Sequence, residues 1–392
     1  MHIAFLTPEY PHPKTGSSGG IGTSIKNLAV GLLAERCSVR VLVYGQKEEG
    51  VFDDNGICVQ QIQNVKLKGL SWYLTRKKLE RIINQLYDNQ EIDIVEAPDW
   101  TGITSFIQPK KCPVVLRLNG SDTYFCHLDK RPVKWINKFH GKRAIQKADS
   151  LISVSQFTAD LTNEVFKLNK NFTIIPNSID VDFFNSNYNF SDTFKTNISV
   201  PASGGRGILY FGSLIRKKGL LELPIIFNEV VKVNPKAKLV LVGKDVSDII
   251  TGNTSTWQMM EQLFTATALQ NVSYLGSVPY HEIKKHIEEA TVCIFPTFAE
   301  ALPVSWIETM ALRKPIVASN IGWASEVIED GVEGFLVHPQ DHKKYAQRIL
   351  EVFDNPKMQR EFGSKAREKV VLKFSTKAVA MQSLSFYKKV IQ

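Results

Sequence analysis

The sequence predicts an α/β protein made of two doubly wound domains, and three observations support this fold class. Short apolar runs rich in Val and Ile recur along all 392 residues, separated by segments with helical periodicity. The runs are continuous rather than alternating, which is typical of parallel strands covered by helices on both faces. A polar stretch at residues 185–207 has no apolar period, and we interpret it as the passage between two domains.

The predicted strands fall into two series, one in each half of the chain. In the first half they lie at residues 3–7, 39–45, 92–97, 114–118, 150–154 and 172–175. In the second half they lie at residues 207–212, 238–243, 272–276, 292–295, 316–319 and 335–338. Strands that alternate with helices in this way predict a Rossmann-like sheet in each half. We therefore expect an N-terminal domain at 1–190, a linker at 191–206, a C-terminal domain at 207–375, and a helix at 376–392 that could cross back to the N-terminal domain.

Composition excludes several classes of protein. Hydrophobic residues make up 43% and charged residues 22%, which are globular values and exclude disordered and fibrous chains. The net charge of +9 is compatible with anionic ligands. The five cysteines form no CxxC pair and the eight histidines show no metal-ligand spacing, so we expect no metal. The glycine-rich segment at residues 16–22 lacks the GxGxxG spacing of dinucleotide-binding loops, and we expect no bound cofactor.

The chain also shows no membrane-spanning or secretory pattern. No apolar stretch approaches the roughly 20 residues that span a bilayer. The N-terminus has no basic head followed by an apolar core, as a signal peptide would. We therefore expect a cytoplasmic protein, and any contact with the inner face of a membrane to be peripheral.

A glycine-rich loop follows the first predicted strand. It reads GSSGGIG at residues 16–22, and a helical pattern begins at Thr23. Glycines allow a ligand to approach the backbone, and the amides of a helix start attract a phosphate or carboxylate. Gly19 and Gly20 are therefore candidate binding residues, with a merely flexible loop as the alternative.

A basic loop follows the first predicted strand of the second half. It begins with Gly212 and Ser213 and continues through Arg216, Lys217 and Lys218. Loops at the carboxyl edge of a parallel sheet are where such sheets bind ligands. Cations there suit a diphosphate, because they neutralise a departing phosphate without a metal ion. A solvated basic loop would give the same pattern.

Two glutamates lie in the segment at residues 296–308. Pro303 suits the first turn of a helix, which places Glu300 in the preceding loop and Glu308 on the second turn. Each carboxylate can accept hydrogen bonds from two hydroxyls of a sugar ring, and helix-start amides between them suit a phosphate. Surface glutamates without a function are the alternative interpretation.

Taken in order, these segments resemble the GT-B retaining glycosyltransferases of the large family 4, in which two glutamates are separated by seven residues. Three further segments fit the family's pattern: IPNSID at 175–180 is similar to its IPNGVD, the strand at 238–243 to its LVIVG, and ALRKPIVASNIGWASEVIEDGVEG at 311–334 to its ACGKPVVATDVGGIPEVIEDGVTG. The resemblance covers nearly the whole chain. It implies two Rossmann-like domains facing a central cleft.

The resemblance also implies an activity and roles for individual residues. The activity would be metal-independent transfer of a hexosyl group from a nucleotide-diphosphate sugar to a hydroxyl of a glycan or lipid-linked saccharide, as in surface polysaccharide biosynthesis. Glu308 would hold the ribose hydroxyls of the donor, Glu300 the hydroxyls of the transferred sugar, and Lys218 the diphosphate. The other donor-binding candidates are Gly19, Gly20, Gly212, Ser213, Gly243, Ala301, Leu302, Pro303 and Val304.

Three positions depart from the family's pattern, and one of them is Trp323, which stands where a second glycine is usual. Ser213 stands where an arginine is usual, so we expect Arg216 to supply that charge. Asn119 stands where many members have a histidine, and it can hydrogen-bond a sugar hydroxyl but cannot shuttle a proton. Asp99 and Asp122 follow predicted strands and are candidates for acceptor binding, with turn or helix-cap roles as the alternative.

Two other functions are compatible with parts of the sequence. One is a sugar-nucleotide epimerase of the same two-domain build. The other is a non-enzymatic module that binds a polyanion, which only the positive charge suggests. The chain has no RNA-binding aromatic signature and no helix-turn-helix pattern, and we expect no nucleic-acid partner.

A basic segment runs from Lys130 to Lys147 with seven basic residues and no acidic one. Its helical pattern places Trp135, Ile136 and Phe139 near one another. A basic amphipathic helix of this kind could rest on an anionic bilayer. In the alternative interpretation, the three apolar side chains face the sheet and the lysines are simply solvated.

Overall fold

The computed structural model describes residues 1–16, 18–185 and 207–392, which divide into two compact units. The first unit comprises Met1–Asp180 with Lys373–Gln392, and the second comprises Val181–Leu372. Each contains one sheet with helices packed around it, so the prediction of two Rossmann-like α/β domains is confirmed. The expected linker at 191–206 lies outside the described residues.

The first unit is built on an eight-stranded sheet in the order β3-β4-β2-β1-β5-β6-β7-β8. Its strands are β1 His2–Thr7, β2 Ser38–Gln46, β3 Gly50–Asp54, β4 Ile57–Gln63, β5 Ile94–Pro98, β6 Val114–Leu118, β7 Ser150–Ser153 and β8 Thr173–Ile174. Its helices are α1 Gly20–Ala34, α2 Ser71–Asp88, α3 Asp122–Leu128, α4 Trp135–Lys147, α5 Gln156–Phe166 and α14 Thr376–Ile391. All neighbouring strands are parallel except β3 and β4.

The hairpin of β3 and β4 is absent from the sequence-based prediction, which expected parallel strands alone. The two strands pair antiparallel and turn at Asn55 and Gly56, whose φ angles of 54° and 90° fit the two positive φ values of a type I′ turn. The prediction relied on continuous apolar runs, which indicate strands that are covered on both faces. In β3, more and less buried residues alternate, so this strand has no such run. The Asn-Gly dipeptide is the sequence signal that would have found this hairpin.

The second unit has a six-stranded, fully parallel sheet in the order β11-β10-β9-β12-β13-β14. Its strands are β9 Gly207–Phe211, β10 Lys238–Val242, β11 Val272–Tyr274, β12 Val292–Phe295, β13 Ile316–Ser319 and β14 Phe335–Val337. Its helices are α6 Leu223–Val233, α7 Thr256–Glu261, α8 Ala266–Leu269, α9 Tyr280–Glu289, α10 Val304–Ala311, α11 Ala324–Val327, α12 His342–Asp354 and α13 Pro356–Lys369. The strand order reverses between β9 and β12, and open α/β sheets bind ligands outside the carboxyl ends of the strands at such a point.

A buried ion pair anchors α14 to the sheet of the first unit. Arg117 on β6 contacts Glu96 on β5 through two hydrogen bonds of 2.7 and 3.2 Å. The hydroxyl of Tyr387, on α14, donates to the same carboxylate at 2.6 Å. All three side chains are buried, and a buried charge is tolerated only when it is paired and hydrogen-bonded. The network therefore fixes the position of α14 on the first unit.

We expect Arg117→Met to destabilise the protein by about 3–5 kcal/mol, because the variant leaves the Glu96 carboxylate buried without a cation. Urea unfolding of the variant and the wild type measures this difference. Arg40→Met is the matched control, since it breaks the partly exposed pair of Arg40 with Glu91 and should cost less than about 1 kcal/mol. Equal, small losses in both variants would contradict a structural role for the buried pair.

Candidate functional site

The loops that follow β9 and β12 meet at the point where the strand order of the second sheet reverses. Gly219 ends the turn that carries the three cations and has a φ of 73°. A Cβ atom at Gly219 would lie 1.7 Å from the carbonyl oxygen of Pro296, so only glycine fits there. The amide of Phe298 donates to the carbonyl of Lys217 at 2.8 Å. These contacts hold the two loops in a fixed relation to each other.

Lys218 and Glu300 form a salt bridge at this junction. The Lys218 Nζ lies 3.1 Å from the Glu300 Oε1, and neither side chain is fully buried. Both line a small cavity whose other walls are Tyr210, Phe211, Phe295, Thr297, Ser305 and Trp306. A cation and a carboxylate thus lie side by side, and such a pair can bind phosphate through the lysine and hydroxyls through the glutamate.

Glu308 lies on the second turn of α10 and is only 5% exposed. The hydroxyl of Tyr280 donates to its Oε1 at 2.7 Å. Burial raises the pKa of Glu308 to about 7, against the smaller opposing effects of the Tyr280 hydrogen bond and the Lys218 charge. Only the ionised carboxylate offers both oxygens as acceptors, so the ability of Glu308 to bind two hydroxyls changes near neutral pH.

Tyr280 has no counterpart among the sequence-based candidates. It is the first residue of α9 and lies 28 positions before Glu308 in the chain. Its ring is nearly parallel to that of Phe183, with an angle of 13° and a centroid distance of 6.3 Å. The sequence does show a tyrosine directly after Pro279, at the start of a helix. Nothing in the sequence indicates that this tyrosine contacts Glu308.

The remaining donor-binding candidates of the second unit lie at the same sheet edge. Gly243, just after β10, has a φ of 148°, and a Cβ atom there would lie 1.9 Å from the carbonyl oxygen of Gly212. The carbonyl of Ser213 accepts a hydrogen bond from Tyr210 at 3.0 Å. Pro303 is the N-cap of α10, one residue earlier than the expected first turn. The short connection from Glu300 into α10 consists of Ala301, Leu302, Pro303 and Val304.

Arg216 already has a partner in the structure. Its guanidinium donates two hydrogen bonds of 2.8 Å to the carboxylate of Asp248, which also accepts one from the hydroxyl of Thr251 at 2.6 Å. The Arg216 hydrogen bond is the largest of the effects that hold the pKa of Asp248 well below its usual range. A phosphate role for Arg216 stays a prediction, and it would require sharing the guanidinium with Asp248.

In the first unit, Asn119 and Asp99 lie together at the carboxyl ends of β6 and β5. The amide of Asn119 donates to the Asp99 Oδ1 at 2.9 Å, while the buried Oδ2 has no hydrogen-bond partner among the described residues. Burial raises the pKa of Asp99 to about 7. Asp122 begins α3 and accepts a hydrogen bond from the side chain of Asn137 at 2.8 Å. Binding roles for these residues stay predictions.

The glycine-rich loop leads into α1, with Gly19 as N-cap and Gly20 as the first helical residue. The carboxylate of Glu9, which the sequence-based candidates did not include, accepts a hydrogen bond from the amide of Gly22 at 2.9 Å. An anion of the chain itself therefore occupies part of the predicted anion site. A donor phosphate bound there would compete with Glu9.

Comparison with known proteins identifies the family. Residues 193–369 match the family model "Glycosyl transferases group 1", and residues 18–183 match "Glycosyltransferase Family 4". The chain belongs to the group 1 and family 4 glycosyltransferases. This glycosyltransferase is 25% identical to alpha-maltose-1-phosphate synthase of Mycolicibacterium smegmatis over 417 residues, an alignment that covers 100% of both chains.

Solved structures show the same fold for the glycosyltransferase. Sucrose-phosphate synthase of Thermosynechococcus elongatus has a TM-score of 0.78 at 18% identity and covers 100% of this chain and 99% of its own. HepE of Anabaena has a TM-score of 0.72 at 20% identity and covers 99% of this chain and 100% of its own. The GT-B fold expected from the sequence is confirmed.

Three further observations concern metals, thiols and membranes. Within the described ranges, no group of three or more His, Cys, Asp or Glu side chains is arranged to hold a metal ion. All five cysteines of the glycosyltransferase are free thiols. No helix in the described part of the chain combines the length and the apolar character that crossing a bilayer requires. Independence from metals and cytoplasmic location stay predictions.

We expect the affinity of the glycosyltransferase for a nucleoside diphosphate to rise as the pH rises through about 7, because the Glu308 carboxylate then ionises. Tyr280→Phe should move the midpoint of this rise to higher pH, since the lost hydrogen bond favours the ionised form. Titration calorimetry across a pH series measures both midpoints. Glu308→Gln cannot ionise and should flatten the pH dependence, and an unchanged curve in that variant would contradict the assignment.

Proposed function

We propose that this glycosyltransferase is a retaining hexosyltransferase. Its donor would be a nucleotide-diphosphate sugar, and its acceptor a hydroxyl of a glycan or lipid-linked saccharide. The observation that supports this most directly is the salt bridge of Lys218 and Glu300 where the strand order reverses, with Glu308 nearby on α10. HepE, a structural relative, was solved in complex with UDP and with UDP-glucose, which supports a donor of this class.

Donor binding follows from the chemistry of these side chains. The diphosphate replaces Glu300 as the anion facing Lys218, and the amides at the start of α10 provide donors that have no acceptor within the helix. Glu300, released from the lysine, accepts hydrogen bonds from hydroxyls of the transferred sugar. Glu308 accepts the ribose hydroxyls. The salt bridge of the free protein is thus exchanged for contacts with both parts of the donor.

The proposed reaction exchanges one bond at the anomeric carbon. The bond from C1 to the leaving phosphate oxygen breaks, and a bond from C1 to the acceptor oxygen forms on the same face. The proton of the acceptor hydroxyl passes to the leaving diphosphate. Negative charge therefore grows next to Lys218, where a preorganised cation stabilises it most in the transition state. The protein supplies no base in this scheme, which is compatible with Asn119 in place of histidine.

The two alternative functions have less support. An epimerase would consume the donor without an acceptor and release a changed sugar, whereas both matching family models describe glycosyltransferases. A polyanion-binding module would bind in a strongly salt-dependent way and would be indifferent to nucleotide sugars. A polyanion-binding module does not account for a buried glutamate and a lysine–glutamate pair at the ligand-binding edge of a Rossmann-like sheet.

The direct test is a transfer assay with a panel of nucleotide-diphosphate sugars and saccharide acceptors, after exhaustive treatment with EDTA. We expect transfer to continue without added metal, because Lys218 and helix amides neutralise the leaving group. NMR of the product should show the anomeric configuration of the donor. Inversion at C1, or activity that returns only with magnesium or manganese, would contradict the proposal.

We expect Lys218→Ala to lower kcat by about 10²–10³, the range typical of losing a group that stabilises transition-state charge. Lys217→Ala is the matched control, because Lys217 supports the loop through its carbonyl and the substitution retains that group. Steady-state kinetics of both variants with a saturating donor measure the difference. If the two variants lost equal, small amounts of activity, Lys218 would not face the leaving group.

A further inference from the structure

The first unit exposes an apolar surface formed by two separate segments. One segment, at the start of α2, contributes Leu67, Leu70 and Trp72, and the other, on α4, contributes Trp135, Ile136 and Phe139. We refer to these six residues as the aromatic patch. Trp135 is 76% exposed, Leu70 51% and Phe139 46%. Large apolar side chains that lie together in solvent typically mark an interaction site.

The two segments of the aromatic patch are in contact through a shared group of rings. Phe106 packs against Trp72 at a centroid distance of 5.5 Å and against Phe139 at 6.3 Å. Behind them, His140 contacts both Trp72 and Phe139, at 5.2 and 5.3 Å. These ring contacts join the two segments of the aromatic patch into one surface.

The structure contradicts the core-packing interpretation of α4. The residues that α4 buries are His140, Gly141, Ala144 and Ile145, while Trp135, Ile136 and Phe139 lie on the exposed side. The helix therefore packs against the protein through this later face, and the three apolar side chains of its first turns are largely exposed. The sequence alone could not distinguish these two orientations.

Four lysines are close neighbours of the aromatic patch residues in the chain. Lys66 and Lys68 precede α2, Lys134 and Lys138 flank Trp135, and all four are exposed. None of these four lysines forms an ion pair with another described residue. Among the nearby basic residues, Arg131 is paired with Asp129 and contributes less free charge. The surface therefore combines exposed rings with lysines that have no ion-pair partner among the described residues.

We propose that the aromatic patch docks the first unit on an anionic lipid bilayer. The rings of Trp135 and Phe139 enter the interfacial region, where tryptophan is favoured because its ring is apolar and its N–H is polar. The lysines lie among the head groups, where anionic lipids attract them. This binding does not depend on the sugar chemistry. Its use in bringing a lipid-linked acceptor to the enzyme rests on the proposed function.

Co-sedimentation of the full chain with vesicles tests this inference. We expect binding to phosphatidylcholine vesicles that contain phosphatidylglycerol, no binding to phosphatidylcholine alone, and release at high salt, which screens the attraction. Lys134→Gln combined with Lys138→Gln should lower the partition coefficient about 25-fold, because each lysine at an anionic surface contributes about a factor of five. Trp135→Ala combined with Phe139→Ala should also lower it, and here the loss should persist at low salt.

The matched control removes the same charge elsewhere on the first unit. Lys388 and Lys389 are exposed on α14, and their joint replacement by Gln should leave vesicle binding unchanged. The inference is overturned if the protein ignores anionic vesicles at low salt, if the control variant loses as much binding, or if the Trp135 and Phe139 substitutions have no effect. Thermal unfolding confirms that each variant is folded.

Two further measurements distinguish membrane binding from nucleic-acid binding and from the proposed function. The first is binding of single-stranded RNA. If the Trp135 and Phe139 variant lost RNA binding to the same extent as vesicle binding, the patch would be a nucleic-acid site and the membrane inference would be overturned. Titration with a nucleoside diphosphate in the absence of vesicles reports on the proposed function alone. Vesicle binding without nucleotide binding would contradict only the proposed function, and nucleotide binding without vesicle binding would contradict only the membrane inference.

Discussion

The candidate site of the second unit depends on one salt bridge, in which Lys218 and Glu300 lie 3.1 Å apart at the carboxyl edge of the sheet. The strand order places the loops after β9 and β12 side by side, and the close approach of Gly219 to Pro296 fixes their spacing. In the free protein each charge compensates the other. A ligand that supplies both a phosphate and hydroxyls could replace both halves of the pair, and the proposed function depends on this exchange.

The candidate sites of both units contain a buried carboxyl with a raised pKa. Glu308 in one unit and Asp99 in the other are buried carboxyls whose pKa is raised to about 7. Because the folded protein then holds protons that the unfolded chain has released, each carboxyl favours folding at low pH, and this contribution is lost as the pH rises through about 7. Carboxyls kept in this state are typical of functional sites, where a ligand's hydrogen bonds offset the cost of burial.

Two helices of the first unit, α14 and α4, differ in where their large side chains lie. Within α14, Tyr387 joins the buried pair of Arg117 and Glu96, so polar contacts hold that helix on the sheet. On α4, the buried face is made of His140, Gly141, Ala144 and Ile145, and the rings of Trp135 and Phe139 are largely exposed. The first unit leaves 76% of Trp135 and 46% of Phe139 exposed, and the proposed membrane surface would cover that remaining apolar area. The difference lies in which face of each helix carries the large side chains.

The sequence by itself determined the fold class, the parallel strands, the family and the separation of Glu300 from Glu308, because burial on both faces and helix starts leave local patterns. It did not reveal the β3–β4 hairpin, whose half-covered strands lack the continuous apolar run. Only the tertiary structure placed Lys218 against Glu300 and Tyr280 against Glu308, and turned Trp135 outward. These contacts join residues from separate strand–helix units, and they depend on strand order and helix rotation, which the spacing of residues along one segment does not specify.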